Sequence, residues 1–427
     1  MNIEESRSFL ETAEGMKKLS RIYGQDGEKE KERYEKVLLG YRDSFGDNEV
    51  RLFTSPGRTE VCGNHTDHNH GKVLAGSINL DCVCAAGKNG STKVNIVSVD
   101  FNQKFTIDIS DLAEGNRHTG TVELTKGIFK AFENEGFSVG GFDAYITGNV
   151  IPSAGVSSSA SYEMLICSIV NELFNDGKID VVRYAHMGKF SENVYWKKAS
   201  GLMDQMACAV GGLIAFDFED PESPKVSAVD FDFQSQGYDM VMVQTGKGHA
   251  DLSEEYSSIP SEMKKVAEFF GKSYLRELCE EELTEHIPEV RKFAGDRAVL
   301  RALHFFEENK KVEAAVKALS DNDFSAALDI ITASGNSSWK WLQNVYVTGA
   351  KDEQGICVAL ALTEIFLNRL GRGACRVNGG GFAGVIQAFI PHENTAEYVE
   401  YIDKAMGEGS AHVMKIRNVG AVCLDRI

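Results

Sequence analysis

The chain has 427 residues, 43% of them hydrophobic and 25% charged, and a net charge of −18. The apolar share excludes a disordered chain, and ~150 residues per domain allows two domains, or three small ones. The acidic balance makes the chain a poor general binder of nucleic acid or of an anionic membrane, while leaving room for a local basic pocket for a phosphorylated ligand.

The start, MNIEESRSFL, lacks the basic segment that opens a secretory leader. The longest apolar run, Ile356 to Leu362, is far short of the ~20 residues that span a bilayer. Nine cysteines, from Cys62 to Cys423, show no zinc-finger spacing and read as reduced, mostly buried thiols of a cytoplasmic protein. No obligate protein partner is visible.

The first ~45 residues read as charged and helical, with Tyr34, Val37, Leu38 and Tyr41 at helical spacing. A strand at 51–53 precedes SPGR (55–58), a turn signal. Between 92 and 109 the period is two, with Phe105, Ile107 and Ile109 alternating with polar residues. A helix is expected over 121–135 and a strand over 142–147. A Gly- and Ser-rich stretch, 153–161, runs into a helix in which Tyr162, Leu165, Ile166, Ile169, Val170, Leu173 and Phe174 recur at helical steps. EDPESPK (219–225) is the expected inter-domain crossing, dividing the chain into 1–220 and 221–427. Then come a buried strand, YDMVMVQTG, a helical region over 261–345, a helix over 351–370 and the segment GRGACRVNGGGFAGVIQAFIP. The class is α/β (α+β), with Gly-rich loops at element junctions.

Three loops carry chemistry. PSAGVSSSAS (152–161) enters a helix, whose N-terminus leaves unpaired N–H groups and a partial positive charge. Small residues let phosphate oxygens approach that backbone, and serine hydroxyls can bond them or ligate magnesium. The plainer alternative is a Ser-rich cap without a ligand. SPGRTEVCGNHTDHNHG (55–71) gathers Arg58, Glu60, Asn64, His65, Asp67, His68 and His70. Convergent hydrogen bonding to a polyhydroxylated ligand explains that density. A histidine metal site and a solvated loop are the alternatives, although the histidine spacing matches no familiar metal motif. In GLMDQMACAVGG (201–212) Asp204 is alone on an apolar helix. A buried carboxylate needs a partner, for which Arg58 is the natural candidate, unless Asp204 faces solvent. Such a pair suits transfer to a hydroxyl.

Together and in this order, the segments resemble the galactokinase branch of the GHMP sugar and metabolite kinases, from about Thr54 to Ala388. GRTEVCGNHTDHNHG resembles the branch's signature, PSAGVSSSAS its phosphate loop and GLMDQ its catalytic aspartate segment. VNGGGFAGV resembles its third glycine motif, and DLSEEY (251–256) its Ser-Glu-Tyr segment near the sugar. The resemblance implies a two-domain GHMP kinase fold, with an S5-like N-terminal domain and a ferredoxin-like C-terminal domain. It also implies ATP and Mg2+ as cofactors and direct in-line transfer to the anomeric hydroxyl of a sugar. By the same resemblance, Asp204 and Arg58 are catalytic. Asn64, His65, Asp67, Gly201 and Tyr256 lie at the sugar. Gly155, Ser157, Ser158, Ser159, Gly379, Gly380 and Gly381 lie at ATP, and Ser159 and Glu192 at the metal.

Four departures stand out. Asn64 replaces the glutamate that faces the C6 hydroxyl in galactokinases, which leaves galactose, galacturonate and L-arabinose as competing substrates, with galactose expected. His68 replaces a tyrosine and Ala383 a glycine, and ITASGNSSW (331–339) matches no part of the pattern. A sugar sensor without activity is the rival from another class. The intact Ser158–Ser161 stretch, Arg58 and Asp204 argue against it.

Overall fold

The computed structural model describes residues 1–100, 102–115, 120–150, 155–198, 200–246 and 252–427. Helices α1 (Ile3–Glu11), α2 (Ala13–Tyr23) and α3 (Gly27–Phe45) open the chain. Strands β1 (Arg51–Cys62), β2 (Lys72–Lys88), β3 (Lys93–Ser98) and β4 (Gln103–Asp108) follow. Next are α4 (Thr121–Asn134), β5 (Phe142–Gly148), α5 (Ser158–Phe174), α6 (Val181–Phe190) and α7 (Met203–Val210). Strands β6 (Leu213–Asp217), β7 (Lys225–Ala228) and β8 (Tyr238–Gln244) precede a helical block. That block is α8 (Ser253–Phe269), α9 (Glu280–Glu285), α10 (Ile287–Ala294), α11 (Asp296–Ser320), α12 (Phe324–Ser337) and α13 (Gly355–Leu370). The chain ends through β9 (Ala374–Asn378), β10 (Val385–Pro391), α14 (Thr395–Met406), β11 (Ala411–Met414) and β12 (Val422–Cys423).

The first sheet has the order β12-β1-β2-β5-β3-β4, with β6 on the other half of β2 and β7 on β6. Only its β3–β5 pair is parallel among the described strands. The second sheet, β11-β8-β10-β9, is antiparallel. Taken in chain order with α13 and α14, its strands make the split βαβ pattern expected of the second half, with α8–α12 inserted after β8.

Alternation along β2 gives the first sheet two buried faces. Cys82, Cys84 and Ala86 join the core under α4 and α5, while Val83 and Ala85 face Tyr34, Val37, Leu38 and Tyr41 of α3. The amphipathic reading of α3 therefore holds. All nine cysteines are free, and all but Cys279 and Cys357 are buried. Among the described residues, no helix is long and apolar enough to cross a membrane.

Three expectations change. SPGR is not a turn but the middle of β1, where the ladder shifts register between Pro56 and Arg58. Proline at this bulge avoids a lost ladder bond. Gly57 is required there, because a Cβ would lie 2.7 Å from the Val156 carbonyl oxygen. Residues 92–109 are two strands of a hairpin rather than one, pairing Lys93 with Asp108. Residues 219–225 do not cross between units: they form the β6–β7 hairpin, with Asp217 opposite Lys225, and the chain leaves the first sheet only after Ala228.

Candidate active site

The two sheets meet through polar contacts between β1 and the end of β9. Glu60 N–H donates to Asn378 Oδ1 at 2.9 Å, and Arg376 Nη2 lies 3.0 Å from Glu60 Oε1. Burial pushes the Glu60 carboxyl up to about 7, opposed by Arg376 and Arg58. The bulge in β1 turns Arg58 toward α7, where its Nε and Nη2 each lie 2.8 Å from Asp204 Oδ1. Its Nη1 donates to the Gly155 carbonyl at 2.5 Å. Ser157 Oγ donates to the other Asp204 oxygen. Burial alone raises the Asp204 pKa, but Arg58, the Ser157 hydroxyl and Lys198 outweigh it and hold the group below the usual carboxylate value. Asp204 also sits in the first turn of α7, where the helix dipole favours an anion. Arg58 is 4% exposed and Asp204 30%, so the arginine is sealed while the carboxylate stays partly open.

Residues 151–154, including the start of the phosphate loop, lie outside the described residues, as does Asp251 of DLSEEY. From Gly155 onward the loop is tightly shaped. Gly155 and Ser157 both have positive φ, +66° and +56°, and Ser158 and Ser159 open α5. A non-glycine residue in that region is costly and is retained where the surroundings enforce it, often at functional sites. Ser159 Oγ donates to Glu192 Oε1 at 3.0 Å. Glu192 lies in a π turn, Ser191–Tyr195, that extends α6. Its carboxylate also takes Lys198 Nζ at 2.7 Å and the Ser200 hydroxyl. Gln205 Nε2 bridges to Glu163 at 3.1 Å. Burial, and next the nearby Glu192, push the Glu163 carboxyl well above its ordinary value. One carboxylate and one hydroxyl fit Mg2+, which takes most of its ligands from phosphate and water.

The 63–71 loop folds against α7 and the third glycine loop. Asp67 Oδ2 accepts from Leu202 and Met203 N–H at 2.9 and 3.2 Å, capping α7. A Cβ on Gly201 would lie 1.7 Å from that oxygen, so a side chain there would displace the Asp67 cap. His65, at φ +56°, donates from Nε2 to the Gly380 carbonyl at 2.8 Å. Its Nδ1 therefore accepts from His68 Nε2, 3.1 Å away. Burial pushes His65 down to about 3, so it is neutral. His70 stacks on Tyr274, with ring centroids 3.8 Å apart. His65 and His68 thus stay paired while His70 turns away, and no metal-holding group of three or more His, Cys, Asp and Glu forms among the described residues.

Tyr256 Oη donates to the Gly381 carbonyl at 2.9 Å. A Cβ on Gly380 would strike the Tyr256 ring at 2.3 Å, and one on Gly379 would crowd the Gly155 oxygen at 3.0 Å. The structure thus gathers Arg58, Asp204, Gly155, Ser157 and Gly379 at one point, and Ser159 with Glu192 beside it. Asn64 differs from expectation. It is fully buried, its Nδ2 donates to the Gly379 carbonyl at 2.8 Å and its Oδ1 accepts from Asn344 at 2.7 Å. Both ends of the amide are engaged within the protein. Sequence reasoning missed Asn344, Asn378, Arg376, Lys198 and Gln205. Only Asn378, directly before the glycine run, and Gln205, directly after Asp204, carried a positional signal.

A family model described as the galactokinase galactose-binding signature matches residues 40–88, and one for the GHMP kinases N terminal domain matches 123–212. The chain is 30% identical over 350 residues to a galactokinase of Clostridium tetani, covering 81% of this chain and 85% of that one. It is 29% identical over 379 residues to a galactokinase of Lacticaseibacillus casei, covering 87% and 93%. The structure of Lactococcus lactis galactokinase complexed with galactose superposes with a TM-score of 0.78 at 24% identity, covering 90% of this chain and 98% of that one. Methanococcus jannaschii mevalonate kinase shares the fold with a TM-score of 0.60 at 14% identity, covering 86% and 99%.

Proposed function

Because the chain belongs to the galactokinase family of GHMP kinases, a family of enzymes, we propose that it transfers the γ-phosphoryl group of ATP directly to the anomeric C1 hydroxyl of galactose. The observation that carries this reading is the Arg58–Asp204 pair, a sealed arginine and a partly open carboxylate, beside the N-terminus of α5. In this reading Asp204 accepts a hydrogen bond from the C1 hydroxyl and orients it in line with the phosphorus. The bond from the sugar oxygen to phosphorus forms as the bond to the departing ADP oxygen breaks, and the hydroxyl proton passes to Asp204. Its depressed pKa makes Asp204 a weak base, which suffices for a loose phosphoryl-transfer transition state. Arg58 keeps Asp204 ionised and meets charge on the transferred group. Backbone N–H groups at Ser157, Ser158 and Ser159 cradle the phosphates. Ser159 and Glu192 are the residues that would hold Mg2+, which supplies charge neutralisation when bound with ATP. His65, Asp67, Gly201 and Tyr256 line the sugar side.

A second reading keeps the reaction and changes the sugar. Asn64 places no negative charge in the loop, and its amide is tied to Gly379 and Asn344, so a substrate with a C6 carboxylate, or none at C6, meets no like charge there. Coupled ADP release on galactose, galacturonate, L-arabinose, glucose and N-acetylgalactosamine separates the two. The expected result is highest kcat/KM on galactose. A tenfold preference for galacturonate or L-arabinose overturns the choice of sugar, and no turnover on any of them overturns the kinase reading.

A further inference from the structure

Residues 331–339, which the family resemblance left without a role, lie directly behind the 63–67 loop. α12 ends in a second π turn, Ser338–Leu342, and such turns recur where a helix must present particular groups. Ser338 Oγ donates to Asn64 Oδ1 at 3.3 Å. Ser337 Oγ lies 2.8 Å from His304 Nδ1, and His304 Nε2 2.8 Å from the Asn64 carbonyl. That carbonyl can only accept, so Nε2 carries the proton and Nδ1 accepts from Ser337. Ser334 donates to Glu308, whose Oε1 accepts the Gly63 N–H at 3.1 Å.

Asn344 closes the arrangement from the other side. It follows Gln343, a non-glycine residue at φ +58°, and its Nδ2 reaches both Asn64 Oδ1, at 2.7 Å, and the Gly380 carbonyl, at 3.2 Å. Its own carbonyl accepts from Phe382 N–H at 2.5 Å, and Phe382 also has positive φ, +58°. Asn64, Asn344, Ser338 and His304 are all fully buried. The direction of the bonds is fixed. The Gly379 carbonyl needs a donor from Asn64, which turns Asn64 Oδ1 toward the donor of Asn344. Turning either amide over would set oxygen against oxygen. An amide meets this demand with one donor and one acceptor, whereas a carboxylate has no donor to give.

We propose that Asn64 and Asn344 form an amide strut that positions the 63–67 loop against the glycine loop 379–381, and that Asn64 does not touch the sugar. Through Gly380 the strut sets His65, and through Gly379 it sets the distance to Arg58 and the Gly155 carbonyl. Both are positioning residues, and the kinetic test rests on the galactose-kinase reading above.

The test compares Asn64→Ala, Asn344→Ala, the double variant and Ser338→Ala with the wild type. It uses galactose and 6-deoxygalactose kinetics, ATP KM and amide hydrogen exchange over residues 63–67. The strut predicts that each asparagine variant raises galactose KM about tenfold and leaves ATP KM within twofold. A loss of folded protein alone would instead lower kcat at constant KM. The double variant should be no more than about twofold worse than the worse single one, and the kcat/KM ratio of the two sugars should stay within twofold of wild type. Exchange over 63–67 should speed up at least tenfold in both single variants. If Asn64→Ala shifts the sugar ratio fivefold or more while Asn344→Ala does not, Asn64 is a sugar contact and the strut is wrong. An unchanged galactose KM in folded Asn344→Ala also overturns it. Should the asparagine variants fail to fold, Ser338→Ala, which removes only the longest bond, must still speed exchange over 63–67, and unchanged exchange there refutes the proposal. If wild type turns over neither sugar, the galactose reading fails, and exchange alone decides the strut.

Discussion

Two arginine–aspartate pairs divide the labour of this molecule. Arg417–Asp81 and Arg58–Asp204 have N···O separations of 2.6 and 2.8 Å. Asp81 is sealed. Arg417, Arg33, Tyr23 and Thr54 all donate to it, and neither Asp81 nor the Arg417 side chain is exposed. These contacts tie α2, α3, β1, β2 and the C-terminal segment together. Asp204 has fewer partners, Arg58 and Ser157, and keeps 30% of its side chain open. One of those partners, Ser157, has positive φ, +56°. A pair enclosed on every side holds a topology, whereas a pair left partly open has a carboxylate available to a substrate.

The largest expected effect is on the sealed pair. Asp81→Asn leaves the buried Arg417 charged and without its carboxylate, while Arg33 keeps Glu30, and costs ~3–5 kcal/mol. Urea unfolding should show that loss, while kcat per folded molecule stays within about twofold of wild type. The open pair should behave in reverse. Arg58→Lys keeps the charge but loses the planar fork that reaches Asp204 and Gly155 together, and should lower kcat ~10²-fold, about 2.7 kcal/mol in barrier, with little change in the urea midpoint. An equal loss of stability in both variants would erase the distinction. Beside the open pair, Glu192→Gln should raise the magnesium concentration for half-maximal rate ~10-fold, about 1.4 kcal/mol, and leave sugar KM unchanged. The pH response is the finest discriminator. Asp81 and Asp204 are both held below their ordinary value, so their contributions are present above about 4 and vanish only as pH falls through their folded values. Glu60 has the opposite sign. Its folded value of about 7 exceeds the unfolded one, so its contribution is complete in acid and is lost as pH rises through about 7. Urea midpoints at pH 5 and 8 should differ in that direction in wild type, and less in Glu60→Gln.

Much of this arrangement was legible along the chain. The spacing of Tyr34, Val37, Leu38 and Tyr41 marked α3, the apolar run after Ser158 marked α5, and a lone Asp204 on an apolar helix called for Arg58. Local signals failed where distant pairing overrode them. Pro56–Gly57 reads as a turn, but β2 on one side and Val156 on the other hold it as a bulged strand. EDPESPK has the composition of a linker, yet it only reverses the chain between β6 and β7. The orientation of Asn64 was invisible because Ser338 and Asn344 lie 274 and 280 residues away. No periodicity reports a contact across that distance.

Asp204 serves the reaction more than the fold: it keeps part of its side chain open, where Asp81 is sealed. Wild type and Asp204→Asn, each incubated with galactose, ATP and magnesium, can be followed by 31P NMR, with urea unfolding in parallel. Galactose 1-phosphate and ADP are expected from wild type, with a rate lower by ~10²- to 10⁴-fold in Asp204→Asn and a urea midpoint that falls less than in Asp81→Asn. Galactose 1-phosphate formed by Asp204→Asn within threefold of the wild-type rate would contradict that role.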